Sequence, residues 1–201
     1  MASVLAGFRP VKHMSGAPYN GQFNRYMASA DDGTAINVGD LVVLSDQAAL
    51  VDTTGGVYPA VERAGSATSS AIVGAVVGFE PDYSNLNAGN YRAASTRRVV
   101  FVADDPELLF ACPQDGTGGV VAAASVGLNC SLTLGSPATT APYASTMKVD
   151  SSEVDTTATD PVQIVGVVAS PDNDVTSTSR PAELLVRINT HAFKAAGLAG
   201  V

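Results

Sequence analysis

The stretch "LNCSLTL", residues 128–134, decides how the chain is read. Leu128, Cys130, Leu132 and Leu134 fall on one side of an extended backbone, and Asn129, Ser131 and Thr133 on the other. A period of two, with one dry face and one polar face, is a half-buried β-strand. Working outward, the same texture recurs in "INVGDLVVL" (36–44), "AIVGAVVGF" (71–79), "RRVVFVA" (97–103), "VQIVGVV" (162–168) and "ELLVRIN" (183–189). Each is short, rich in β-branched residues and bounded by Gly, Pro, Asn, Asp or Ser. Weaker strand candidates are "VYPAVE" (57–62), "ELLFAC" (107–112) and "TMKVDS" (146–151).

Helical periodicity is nearly absent. "VVAAASVG" (120–127) reads as two helical turns closed at Gly127 or as an edge strand, and "THAFKAAG" (190–197) as one terminal turn. Many short strands without intervening helices argue against a parallel βαβ architecture. They predict an all-β fold: an antiparallel sandwich, jelly-roll-like, or a distorted barrel, with at most one or two short helices. "IVGAVVGFEPDYSN" (72–85) and "IVGVVASPDNDV" (164–175) echo one another. Each has a mid-strand glycine, Gly74 or Gly166, that marks a bulge or close backbone approach, followed by a Pro-Asp turn. Two equivalent strands at matching places in the fold would produce this echo, as would chance in a Val/Gly-rich chain.

The chain has 201 residues and a formal charge of −8. Charged residues make up 15%, against about 25% in ordinary soluble domains, and small neutral side chains fill the gap. Such a surface packs closely against other protein and suits a chain that works assembled. No run of 18 apolar residues occurs, so no transmembrane helix is expected. "MASVLAGF" lacks the basic and apolar regions of a secretion signal, so no processing is expected. Cys112 and Cys130 are the only cysteines; they read as two buried thiols, with a disulfide as the alternative.

The N-terminal leader, "GFRPVKHMSGAPYNGQFNRYMA" (7–28), departs from the rest. It has three positive charges and no acid, while residues 31–201 carry −11. That acidic body excludes strong binding of nucleic-acid phosphates. Pro10, Pro18, Gly7, Gly16 and Gly21 prevent a helix. The chain is therefore expected to divide into an extended N-terminal arm, residues 1–28, and a single β domain with long surface loops, residues 29–201. Phe8, Arg9, Pro10, Lys12, Tyr19, Asn20, Phe23, Arg25 and Tyr26 are the candidate partner-binding residues, because aromatic anchors and arginines dominate interfaces. The competing reading folds this segment back onto the chain's own sheet.

There is no phosphate-cradling loop and no nucleophile elbow. His13 and His191 have no neighbour at metal-ligand spacing. Asp172 and Asp174 lack the glycine and distal Glu of a calcium loop. Asp104, Asp105 and Glu107 read as a solvated turn before and after Pro106. No catalytic residue, metal or cofactor is expected. An enzyme reading would require a buried acid with a raised pKa in a cleft.

The leader, together with "GDLVVL", "VVGFEPDYSNLNAGNYRAASTRRVVFVADDPELLF", "VDSS", "SPDND" and "LLVRINTH", resembles a family of small virion proteins of short-tailed bacteriophages. Its members are described as head decoration, cement or minor structural proteins. The resemblance implies a β-rich, oligomeric, non-enzymatic protein on the outer capsid surface. Its implied partners are the major capsid protein, whose neighbouring subunits it would bridge, and further copies of itself, a dimer ahead of a trimer. The alternative is a carbohydrate- or receptor-binding β module of a virion. Tyr83, Tyr91 and Tyr143 lie on loops where such a module would hold aromatic platforms, although the chain has no tryptophan.

Overall fold

The computed structural model describes residues 6–52, 55–65, 71–83, 85–117, 121, 123–171, 173 and 182–194. The all-β expectation holds. In chain order the strands are β1 (Arg9–His13), β2 (Asn24–Ala28), β3 (Ile36–Asn37), β4 (Leu41–Leu44), β5 (Leu50–Val51), β6 (Val57–Tyr58), β7 (Ala60–Arg63) and β8 (Ile72–Phe79). There follow β9 (Tyr91–Arg92), β10 (Arg98–Ala103), β11 (Leu108–Pro113), β12 (Asn129–Thr133), β13 (Lys148–Asp155), β14 (Val162–Val167) and β15 (Glu183–Ile188). The helix read over 120–127 is reduced, among the described residues, to one 3₁₀ turn, Ala123–Ser125. "INVGDLVVL" is two strands rather than one. Gly39, at φ +90°, turns the chain between β3 and β4.

Two β units pack against one another. In the first, β10-β2-β7-β4-β8 closes into a barrel. Every neighbouring pair in it is antiparallel except β2 and β7. The second is a six-stranded antiparallel sheet, β1-β11-β15-β14-β12-β13. β11, next to the edge strand β1, meets the opposite edge strand β13 at one corner, where Gln114, just past β11, makes a parallel bridge to Val149. Tyr26, Val42, Val61, Val73, Val76, Val100 and Val102 fill the first barrel. A second cluster joins the outer face of β4 and β8, through Leu41, Val43 and Ile72, to Phe110, Cys130, Ile164, Leu184 and Val186 of the sheet. The alternation along β4 thus serves two interiors at once, because neighbouring side chains point to opposite faces. Cys112 and Cys130 are both buried free thiols, so the disulfide alternative falls.

The two units are copies of one topology. Taking β2, β4, β7, β8 and β10 as strands one to five, the matching set is β11, β12, β13, β14 and β15. In both, strand one pairs with five, five with four, four with two, two with three, and three meets one in parallel. The registers coincide as well. Leu41 faces Ala75 and Val42 faces Gly74, while 88 positions later Asn129 faces Gln163 and Cys130 faces Val162. Leu44 faces Val61 and, 88 positions later, Leu132 faces Val149. Gly39 N–H donates to Val76 O and Val76 N–H to Asp40 O at 2.8 and 2.9 Å. Gly127 N–H donates to Ile164 O and Ile164 N–H to Leu128 O at the same two distances. Both glycines have positive φ, +90° and +97°.

This duplication accounts for part of the sequence echo and shifts its alignment by four residues. β8 and β14 are indeed the same strand of each unit. The glycine equivalent to Gly166 is Gly78 and not Gly74, since each follows a bulged residue, Val77 or Val165, skipped in the pairing to β10 or β15. Gly74 answers a different constraint: a Cβ there would lie 2.1 Å from the Ala103 carbonyl oxygen.

The leader is woven into both units, which corrects the division at residue 28. β1 lines the edge of the sheet against β11, and β2 is a barrel strand. Phe8 is 1% exposed in the shared core, and its N–H donates to Gly39 O at 2.8 Å. The physical reason is burial: a broken, aromatic segment finds apolar pockets on its own body. Gly7, at φ +58°, is threaded so closely between Gly39 and Ser145 that a Cβ would come within 2.4 Å of each.

Candidate functional site

The nine residues picked from the leader divide into two groups. Phe8 and Tyr26 are interior; the Tyr26 hydroxyl donates to Asp104 at 2.6 Å, and burial followed by that bond pushes its pKa well up. Neither is available to a partner. The other seven reach the surface or stand half-buried. Arg9 donates to Glu183 at 2.7 Å, and Pro10 stands opposite Phe110 in the β1–β11 register. Lys12 is exposed beside Pro18, where the chain turns back: Tyr19 N–H donates to Val11 O at 3.0 Å. Asn20 is exposed. Tyr19 packs against the shared core and its hydroxyl donates to Gln22 O at 2.8 Å. The Phe23 ring stacks on Phe101 at 4.5 Å, and Arg25 lies 5.7 Å above the same ring while pairing with Glu80 at 3.5 Å.

Tyr19, Phe23 and Tyr26 meet at a cleft of about 750 Å³ where the barrel abuts the sheet. Phe193, Asp104 and Asp105 are among the contributors that sequence reasoning missed. Phe193, 55% exposed, comes from the segment after β15, which crosses to the barrel by bonding Ile72 on both sides, at 2.8 Å each. Asp104 accepts two bonds from the Asn24 amide besides that from Tyr26, and Asp105 pairs with His13 at 3.1 Å. The acidic run after β10 is therefore not only a solvated turn. It ties the leader down, because β10 ends beside β2. His191 behind the cleft is buried, and its Nδ1 accepts from Phe193 N–H at 3.1 Å. Burial lowers its pKa and holds the ring neutral against the pull of Asp104 and Asp105. Val11 and Met14, elsewhere in the leader, are 39% and 44% exposed.

Three acids elsewhere have raised pKa values, the property an enzyme reading requires: Glu62, by burial and then by Asp32 and Asp46, and Asp40 and Asp160. Asp40 is buried, which pushes its carboxyl up. Arg63 Nε at 3.0 Å, Ser145 Oγ at 2.6 Å and Asn37 N–H at 2.8 Å all donate to it. It pins β3, β4, β7 and the chain before β13 together rather than facing a cleft. Asp160 is pushed up to about 6, first by burial and then by Asp155, with which it shares a hydrogen bond. Asp115 is the reverse case. Burial raises it, but bonds from Ser151 and Thr117 outweigh that and hold it far below the usual carboxylate range.

Among the described residues there is no group of three or more His, Cys, Asp or Glu arranged to hold a metal ion. No described helix is long and apolar enough to cross a membrane. Comparison of the chain with protein-family models, curated proteins and solved structures finds no match.

Proposed function

We propose that this protein is a non-enzymatic decoration or cement protein of a phage head, bound to the outer surface of the shell and bridging neighbouring major capsid protein subunits. The observation that carries the reading is the exposure of large apolar side chains in the leader. Val11, Met14 and Phe23 are exposed there on a chain of low charge, and Phe193 shares the cleft with Phe23. Exposed aromatic and aliphatic groups rimmed by Arg9, Lys12 and Arg25 have the composition of an interface centre with a polar rim. The cleft acids are spent on positioning Asn24, Tyr26 and His13, which supports adhesion over catalysis. A shell repeats each contact by symmetry, so a modest footprint per copy gains strength from multiple attachment. Self-association into dimers belongs to the same proposal.

The test uses surface variants, since removing residues 1–28 would delete a barrel strand. Met14→Ser combined with Phe23→Ala is expected to abolish cosedimentation with heads stripped of this protein, while leaving the circular dichroism spectrum unchanged. Undiminished sedimentation of the folded double variant would refute the leader as the grip. Failure of the unaltered chain to sediment with heads would refute the whole reading.

A further inference from the structure

A second concavity, of about 820 Å³, lies on the outer side of β2 and β10, beneath the connection from β8 to β10. Its volume falls within the ~300–1,000 Å³ of small-molecule sites. Three tyrosines converge on it: Tyr83 and Tyr91 from that connection, and Tyr143 from far along the chain. We propose that this groove binds a neutral saccharide, an activity independent of shell attachment.

The aromatic part is rigid. The Tyr91 and Tyr143 rings stack 4.8 Å apart at 7°, joining the β8–β10 connection to the segment before β13. Gly89 lets the stack lie on the backbone, for a Cβ there would come 2.7 Å from the Tyr143 ring and 2.8 Å from that of Tyr91. Tyr143 holds φ +55°, a left-handed conformation unfavourable for a bulky side chain. Backbone strain of this kind persists where the surroundings enforce it, and it gathers at ligand sites. Arg98 fixes the rim from behind. It donates to the carbonyls of Glu80 and Gly89 at 3.1 and 2.8 Å, and to that of Tyr91, with its guanidinium 5.2 Å from the Phe79 ring. Tyr83, 80% exposed, stands free on the rim as a platform.

The polar part selects the ligand class. Arg25, Arg97 and Arg98 are balanced by Asp52, Glu80 and Asp82. A strongly anionic ligand meets three carboxylates there, and a cationic one three guanidiniums. A neutral polyhydroxyl ligand meets no net repulsion. The amides of Asn85 and Asn87, which also line the groove, carry both a donor and an acceptor for adjacent hydroxyls. Aromatic faces accept the C–H faces of a sugar ring by removing them from water.

The experiment presents the purified full chain to an array of neutral and sialylated oligosaccharides and measures affinity for the best ligand by titration calorimetry. Binding to a neutral glycan is expected, weakened about tenfold or more by Tyr83→Ala and largely kept by Tyr83→Phe. Because Tyr83 is exposed, the alanine variant keeps its fold, and its sedimentation with heads is expected to be unchanged. No binding to any neutral glycan, binding to sialylated glycans alone, or equal affinity in Tyr83→Ala would each overturn the proposal. Shell attachment is read separately, so loss of one activity leaves the other measurable.

Discussion

If the leader is part of the body, Phe8→Ala must be among the costliest single substitutions in the chain. Phe8 is 1% exposed within the cluster shared by barrel and sheet, next to the Gly7 crossing where no backbone atom can shift inward. Truncating a buried phenylalanine removes its transfer free energy and leaves a cavity, together about 3–5 kcal/mol. For a chain of this length that corresponds to a fall in Tm of about 6–20 °C. Phe23→Ala is the internal control. Phe23 is 45% exposed and stacked only on Phe101, so its loss should cost about 1 kcal/mol. Thermal unfolding followed by circular dichroism at one protein concentration compares the three chains. A leader that swings free in solution would make Phe8→Ala nearly silent, within about 0.5 kcal/mol of the unaltered protein. That result would refute the interwoven leader and restore a free arm as the gripping element.

Asp40→Ala leaves the Arg63 guanidinium buried without its carboxylate and should cost about 3–5 kcal/mol in urea unfolding; a loss under about 1 kcal/mol would show that the network is dispensable. Asp160 gives a pH signature. Its folded pKa, about 6, lies above the value of about 3.9 for an unfolded aspartate, so the folded state holds the extra proton. Its unfavourable contribution is therefore present above pH 6 and fades as pH falls from 6 toward 4. Asp160→Asn should raise Tm at pH 7.5, with the advantage shrinking by pH 5; a constant difference between variant and parent across that range would contradict the shared proton.

Strand existence was legible because it is written locally. Period-two alternation and Gly/Pro punctuation located β8, β10, β12, β14 and β15 to within a residue or two. β1 and β2 escaped for the same reason. "RPVKH" and "NRYMA" carry proline and charge on faces that alternate only once the neighbouring strands are known. The duplication left a trace in the Val/Gly echo, but the trace was four residues out of register. Bulges insert residues without changing the local pattern, and only hydrogen-bond partners reveal which glycine answers which. The candidate site was half visible. Aromatic and basic residues of the leader were singled out, yet Phe193, Asp104 and Asp105 reach the cleft from positions far along the chain. Nothing local in the sequence shows that one groove unites Tyr83, Tyr91 of β9 and Tyr143.

The sequence by itself determined an all-β chain of low charge, an unusual leader and no assembled catalytic pattern, because composition and alternation are properties of neighbouring residues. The tertiary structure alone decided where the leader goes, that strands of equal rank close into two like units, and which distant side chains share a surface. Those outcomes depend on long-range pairing, in which the same apolar and aromatic groups serve equally well against a partner or against the chain's own core. Which of the two prevails is set by the shape and burial of the pockets that only the folded whole supplies.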